Sequence, residues 1–234
     1  MADGWLYLIF CFCDIRFTRT FKGLKFGNAF SPIDLEDLCI HKISEEFAMS
    51  EWDKKRGVMH RYDLTAHIYD MQYTEEQTAK IEAALEGLKM EKHNLVLDAG
   101  CGTGLLFGYV ADKAEATVGL DISRKILLQA KKRVKNFRNI HLILADADNM
   151  PLNENIFSHV FGITLIQNMP NPVKTLNEFR RVTLKDSVAV ITGMKKAFTL
   201  EEFEELLRDA GFNIVALKDE GLKCYVAVCT KIYH

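Results

Sequence analysis

From about residue 60 onward the chain switches regularly between two hydrophobic periods. Residues 75–89 place Ile81, Ala84, Leu85 and Leu88 on one helical stripe. Leu95-Val96-Leu97 follows, a short apolar run that stops at a glycine-rich turn, as a strand buried in a parallel sheet does. The pattern then repeats, with a helix over 105–113 and a strand over 116–120. Ser123 is placed to cap a helix whose inner face carries Ile126, Leu127, Ala130, Val134 and Phe137. Further strands are predicted over 140–144, 160–166 and 187–192, with a helix over 172–182 that turns Leu176 and Phe179 inward. Thr199 and Glu202 form a capping box for a helix that Gly211 ends. Runs 213–217 and 223–230, separated by Gly221, read as a hairpin. Strands alternating with helices predict an α/β, doubly wound, mostly parallel seven-stranded sheet that closes with an antiparallel C-terminal hairpin.

The candidate chemistry lies at three successive strand ends. The first strand runs into Asp98-Ala99-Gly100-Cys101-Gly102-Thr103-Gly104. Glycines in such a turn let the backbone approach a ligand with no Cβ in the way, and the N-terminus of the next helix suits an anion. A buried carboxylate at 98 is suited to hold the loop by accepting its backbone N–H groups. The spacing is D-x-G-x-G-x-G and not the G-x-G-x-x-G of dinucleotide sites, which disfavours a nucleotide-dependent oxidoreductase. Asp121 ends the second strand, at the distance where an acid accepts hydrogen bonds from ribose hydroxyls. Asp146-Ala147-Asp148 ends the third, where a carboxylate can accept from an exocyclic amino group. All three features fall on one edge of the predicted sheet.

With these residues, the chain from about Tyr62 onward resembles a class I S-adenosylmethionine-dependent methyltransferase, a Rossmann-like family. The resemblance implies that Asp98, Gly100, Cys101, Gly102 and Gly104 line the methionine end of S-adenosyl-L-methionine. It puts Asp121 on the ribose, Ile122 on one face of the adenine, and Asp146 and Ala147 at its edge. Phe157-Ser158-His159-Val160, running to Gln167-Asn168-Met169-Pro170, is similar to the family's fourth-strand segment, and Gln167 is thereby placed beside the cofactor. Ser158 stands where an acid is usual, and Gln167-Asn168 where a histidine pair is frequent. Arg61 to Asp70 resembles the Y-D-x-x-A-x-x-Y-D entry helix, so Tyr69 or Tyr62 is the expected lid over the cofactor. The implied reaction is in-line methyl transfer to a small molecule, tRNA or protein. The alternative is a cofactor-binding, non-catalytic partner subunit of another methyltransferase, against which the intact Asp98, Asp121 and Asp146 argue. Some short enzymes of this kind need a small zinc-containing activator subunit that covers an exposed sheet edge. No catalytic base stands out; His67 and His159 are the candidates, and Asn168 and Asn171 are possible acceptor contacts.

Residues 1–48 have no sustained period and hold seven of the 15 phenylalanines. They read either as an extension that packs on the domain or a partner, or as residues ahead of a natural start at Met49, leaving 49–234 as the methyltransferase domain. Cys11-x-Cys13 with Cys39-x-His41 has zinc-ligand residue types at the wrong spacing, so no metal site is expected. The six cysteines are scattered, and the apolar run Trp5 to Cys13 is too short to span a bilayer and lacks a basic flank. A reduced cytoplasmic protein is expected. Net charge is −2, without the general basic excess of nucleic-acid binders, although Lys125, Lys131, Lys132, Arg133, Lys135 and Arg138 give one helix a basic face.

Overall fold

The computed structural model describes residues 50–232. The 1–48 segment, with its Phe-rich run and the Cys11, Cys13, Cys39 and His41 group, lies outside the described residues. Helices α1 (Glu51–Thr65) and α2 (Tyr69–Leu85) precede strand β1 (Leu95–Ala99). Then come α3 (Phe107–Val110), β2 (Ala116–Asp121), α4 (Arg124–Arg133), β3 (Ile140–Leu144) and β4 (Phe157–Gly162). The chain continues through α5 (Pro172–Val182), β5 (Thr183–Met194), α6 (Leu200–Asp209), β6 (Phe212–Lys218) and β7 (Cys224–Lys231). The seven strands form one sheet in the order β3-β2-β1-β4-β5-β7-β6. Strands β1 to β5 pair in parallel, and β7 lies antiparallel between β5 and β6, as the closing hairpin predicts. Parallel order puts the C-terminal ends of β1, β2, β3 and β4 on one edge, with the order reversing between β1 and β4.

Apolar side chains from both sheet faces make the core. Leu97, Val160, Phe179, Ile191, Phe203 and Phe212 anchor one layer, and Val96, Phe161, Val190 and Val226 the other. A repeated device joins helices to strands here. Phe179 of α5 packs on Gly162, where an added Cβ would lie 2.6 Å from its ring, and Phe203 of α6 packs likewise on Gly193 at 2.5 Å. Each large ring fills the space that a strand residue without a side chain leaves open. The caps also match expectation, since Ser123 Oγ accepts from the Ile126 N–H and Thr199 with Glu202 makes both bonds of a capping box.

Several boundaries differ from expectation: α2 covers Tyr69–Leu85 and not 75–89, β4 begins at Phe157 and not at 160, and β5 runs Thr183–Met194 and not 187–192. The motif from Arg61 to Asp70 is the junction of α1 and α2, because the chain turns at residues 66–68, where the Ile68 N–H bonds back to the Thr65 carbonyl. The helix after the glycine loop starts at Phe107 and not at 105, since Gly100, Gly102 and Gly104 all take positive φ and prolong the loop, and its last turn, Ala111–Lys113, tightens to a 3-10 turn that ends at the expected residue. Strand β4 stops at Gly162 instead of running to 166. Thr164 takes φ 60°, and residues 166–168 form a 3-10 turn, so the apolar Ile163, Leu165 and Ile166 belong to a loop. Among the described residues no helix is long and apolar enough to cross a membrane.

Candidate functional site

A cavity opens at the edge where β1, β2 and β3 end. Gly100 and Gly102 form its floor, Asp121 and Ile122 one side, and Asp146 and Ala147 the far end. Tyr62 and Tyr69 close it from α1 and α2. The loop is tied to β2 through the Gly100 and Cys101 N–H groups, both bonded to the Leu120 carbonyl at 2.7 and 3.0 Å. A Cβ added at Gly102 would meet nothing within 4 Å, so this backbone faces open space.

The task of holding the loop falls to Asp121 and not to Asp98. One Asp121 oxygen accepts the Gly102 N–H at 2.9 Å and the other the Ser123 N–H at 2.8 Å. Burial raises its pKa, and these backbone N–H groups work against that rise. Asp98 is 3% exposed, lines an adjoining recess with Gly102 and Cys101, and accepts no hydrogen bond from the described residues. Burial, and then the charge of Asp121, push its carboxyl up to about 8. A carboxylate desolvated without a partner is costly, and a cationic group beside it would restore the ordinary charged form.

At the far end sits a residue that sequence reasoning missed. Lys55 of α1 is buried, and its ammonium lies 2.6 Å from Asp146 and 2.5 Å from Asp148. Burial opposes its charge, yet the two carboxylates hold its pKa above the ordinary value. Thr175 of α5 donates to Asp148 as well, so α1, the end of β3 and α5 meet at one charged knot. Only the hydrophilic run around Lys55 hinted at it, and such runs are usually solvated.

Toward β4 the cavity wall is Ile163, Thr164, Leu165, Asn168 and Met169. A β-branched residue at positive φ is strained, and Thr164 is held there from several directions. Its N–H donates to Thr192 at 2.7 Å, and its carbonyl accepts from the Asn168 amide at 2.9 Å. Its hydroxyl receives the ammonium of Lys80, a lysine only 1% exposed and paired with Glu76 at 2.7 Å. The Asn168 amide also donates to the Tyr62 hydroxyl at 3.1 Å, which joins this wall to α1.

The structure brings together Tyr69, Asp98, Gly100, Cys101, Gly102, Asp121, Ile122, Asp146 and Ala147, in the cavity and its recess. Gly104 lines neither, because its missing Cβ leaves room for the Phe107 ring at 2.5 Å. Gln167 lines neither as well, and both its amide atoms are buried without a hydrogen-bond partner among the described residues. His159 is buried at the start of β4 against Ser158, and His67 is exposed in the turn between α1 and α2, so neither faces the cavity. Asn168 does face it. Cys101, Cys224 and Cys229 are free and buried. The described residues hold no cluster of metal-ligating side chains.

Residues 97–191 match the family described as "Methyltransferase domain". A malonyl-[acyl-carrier protein] O-methyltransferase from Marinomonas is 31% identical over 130 residues, 55% of this chain and 48% of that protein. The chain spans about half the length of the curated relatives it matches. Among solved structures, a Burkholderia thailandensis 1,6-didemethyltoxoflavin-N1-methyltransferase with bound S-adenosylhomocysteine superposes with TM-score 0.67. It is 15% identical and covers 79% of this chain and 92% of its own. A Haloferax volcanii chain solved in complex with the Trm112 methyltransferase activator gives TM-score 0.62 at 17% identity, covering 74% of this chain and 98% of its own.

Proposed function

We infer that this chain, which belongs to the class I S-adenosylmethionine-dependent methyltransferases, binds S-adenosylmethionine in the cavity at the β1–β3 edge and transfers its methyl group to an acceptor. When bound, the cofactor supplies a methyl group made electrophilic by its positively charged sulfur, so the reaction calls for alignment and desolvation more than for a base. The carrying observation is Asp98, a buried carboxylate without a hydrogen-bond partner beside an open glycine backbone, a setting that favours a cationic ligand. On this reading Asp98, Gly100, Cys101 and Gly102 hold the methionine end, and the loop glycine Gly104 acts by packing. Asp121, already oriented by two N–H groups, offers its remaining lone pairs to the ribose hydroxyls. Ile122 covers one adenine face, Asp146 and Ala147 meet its edge, and Tyr69 with Tyr62 closes the site. Gln167 is proposed to act behind the wall that Asn168 presents.

The acceptor enters from the side of Thr164 and Asn168, where no histidine of the described residues lines the cavity. Incubation with methyl-tritiated S-adenosylmethionine and fractionated small molecules, RNA and protein tests the reading. Label is expected in one fraction and lost in Asp98→Asn. Cofactor binding with no label in any fraction would point instead to a non-catalytic partner subunit. A small activator subunit is the partner proposed, on the likeness to the Haloferax chain. The outer strands β3 and β6 are the sheet edges open to one, and β3 leaves Leu142, Ile143 and Leu144 only partly buried.

A further inference from the structure

A groove runs between the end of α1 and the outer face of α4, on the far side of the helices that wall the cavity. Leu64 of α1, Ala66 just after it and Leu128 of α4 contribute its apolar floor. Leu64 is 58% exposed and Leu128 49%, two large apolar side chains facing solvent side by side. Lys125, Lys131, Lys132 and Lys135 rim the groove. Lys125, Leu128, Lys132 and Lys135 recur at spacings of three and four, the repeat of one helix face. None of these lysines makes an ion pair with the described residues; Lys132 only touches Gln129 at 3.2 Å. Asp63 is the one acid among the described residues lining the groove, and the Ser123 hydroxyl at 2.6 Å together with the Lys125 N–H engages it. The chain as a whole carries −2, so this positive face stands against its general balance.

We propose that this groove docks an acidic amphipathic helix of a partner protein. Four ammonium groups without an ion pair among the described residues, around a floor with two exposed leucines, complement a helix that carries leucines on one stripe and carboxylates beside it. A nucleic acid would satisfy the lysines and leave the leucines wet, and among the described residues lining the groove the His67 imidazole is the single ring on which a base could stack. Val58 and Tyr62 of α1 and Ile126 of α4 line the cavity from the same two helices. A docked helix therefore rests on the outer side of the cavity wall. Binding there is independent of whether the chain transfers methyl groups.

The test uses the full chain and a fluorescein-labelled synthetic helix with leucines at i and i+4 and glutamates flanking them. Fluorescence anisotropy is expected to show saturable binding. A peptide of the same composition in scrambled order should bind at least about tenfold more weakly, because it has no apolar stripe. Replacing Lys125, Lys132 and Lys135 together by Gln should weaken binding about tenfold, the loss of three exposed ion pairs. Leu64→Ser with Leu128→Ser should weaken it at least as much. All five side chains point to solvent, so thermal melts should match the parent. Absence of saturable binding overturns the proposal, as does equal affinity for the scrambled peptide or for the leucine variant. Tighter binding of a single-stranded RNA oligonucleotide through the same lysines would make the groove a nucleic-acid surface and also overturn it.

Discussion

Asp121 is a carboxylate whose two oxygens are both oriented by backbone N–H groups, so it meets a ligand without paying to become ordered. Asp121→Ala removes acceptors for two hydroxyls and also frees the Gly102 N–H. Calorimetric titration should show a loss of roughly 1.5–3 kcal/mol in cofactor affinity, the range for hydrogen bonds to a charged group. Asp98 gives a pH dependence. Its folded pKa, pushed up to about 8, lies above the ordinary 3.8, so the folded protein keeps a proton that the unfolded chain has lost. Its contribution to stability without ligand is therefore greatest at low pH and declines as pH rises from about 4 to 8. A cationic ligand favours the charged form, so cofactor affinity should rise across pH 6 to 8 and level off above. Asp98→Asn should flatten both profiles, and an unchanged profile in that variant would remove Asp98 from the account. Lys55→Met leaves Asp146 and Asp148 facing each other without their cation. Denaturant titration should register about 3 kcal/mol of destabilisation, as for one partner lost from a buried pair. Asp98 and Asp121 were legible because each sits in a local strand-end pattern. Lys55 was not, since its partners lie 91 and more residues away, and no local pattern announces a strained threonine at 164.

At the level of elements, what was legible depended on whether the signal was local. Caps at Ser123 and Thr199 are three-residue patterns, and both formed as read. Strands β1, β2 and β3 end where an acid follows an apolar run, which placed the three candidate acids correctly on one edge. The end of β4 was misplaced because Ile163, Leu165 and Ile166 carry strand-like side chains, while the break arises from tertiary bonds at Thr164. The helix after the glycine loop was started two residues early for a related reason. Its apolar residues suit a helix, but the loop stays open, pinned by Thr103, whose hydroxyl meets Asp70 at 2.5 Å and whose carbonyl accepts from Arg133 at 2.9 Å. The pairing of strand glycines with helix phenylalanines was likewise invisible in the sequence. Gly162→Ala sets a methyl group against the Phe179 ring, and overpacking of this kind costs about 1–3 kcal/mol. A thermal melt that leaves the midpoint unchanged would show that α5 shifts freely on the sheet.

For the whole molecule, the order β3-β2-β1-β4-β5-β7-β6 turns three local motifs into one cavity. Helices α1 and α2 complete it, with Tyr62 and Tyr69 as the closing side chains and Lys55 and Asn168 as the ties that hold α1 against the sheet. The central claim is that this cavity belongs to S-adenosylmethionine. Equilibrium dialysis with radiolabelled S-adenosylmethionine addresses it most directly, with unlabelled S-adenosylhomocysteine and NADH as competitors. The account predicts one saturable site from which S-adenosylhomocysteine displaces the label and NADH does not. No retention of label, or displacement by NADH in preference to S-adenosylhomocysteine, would contradict it.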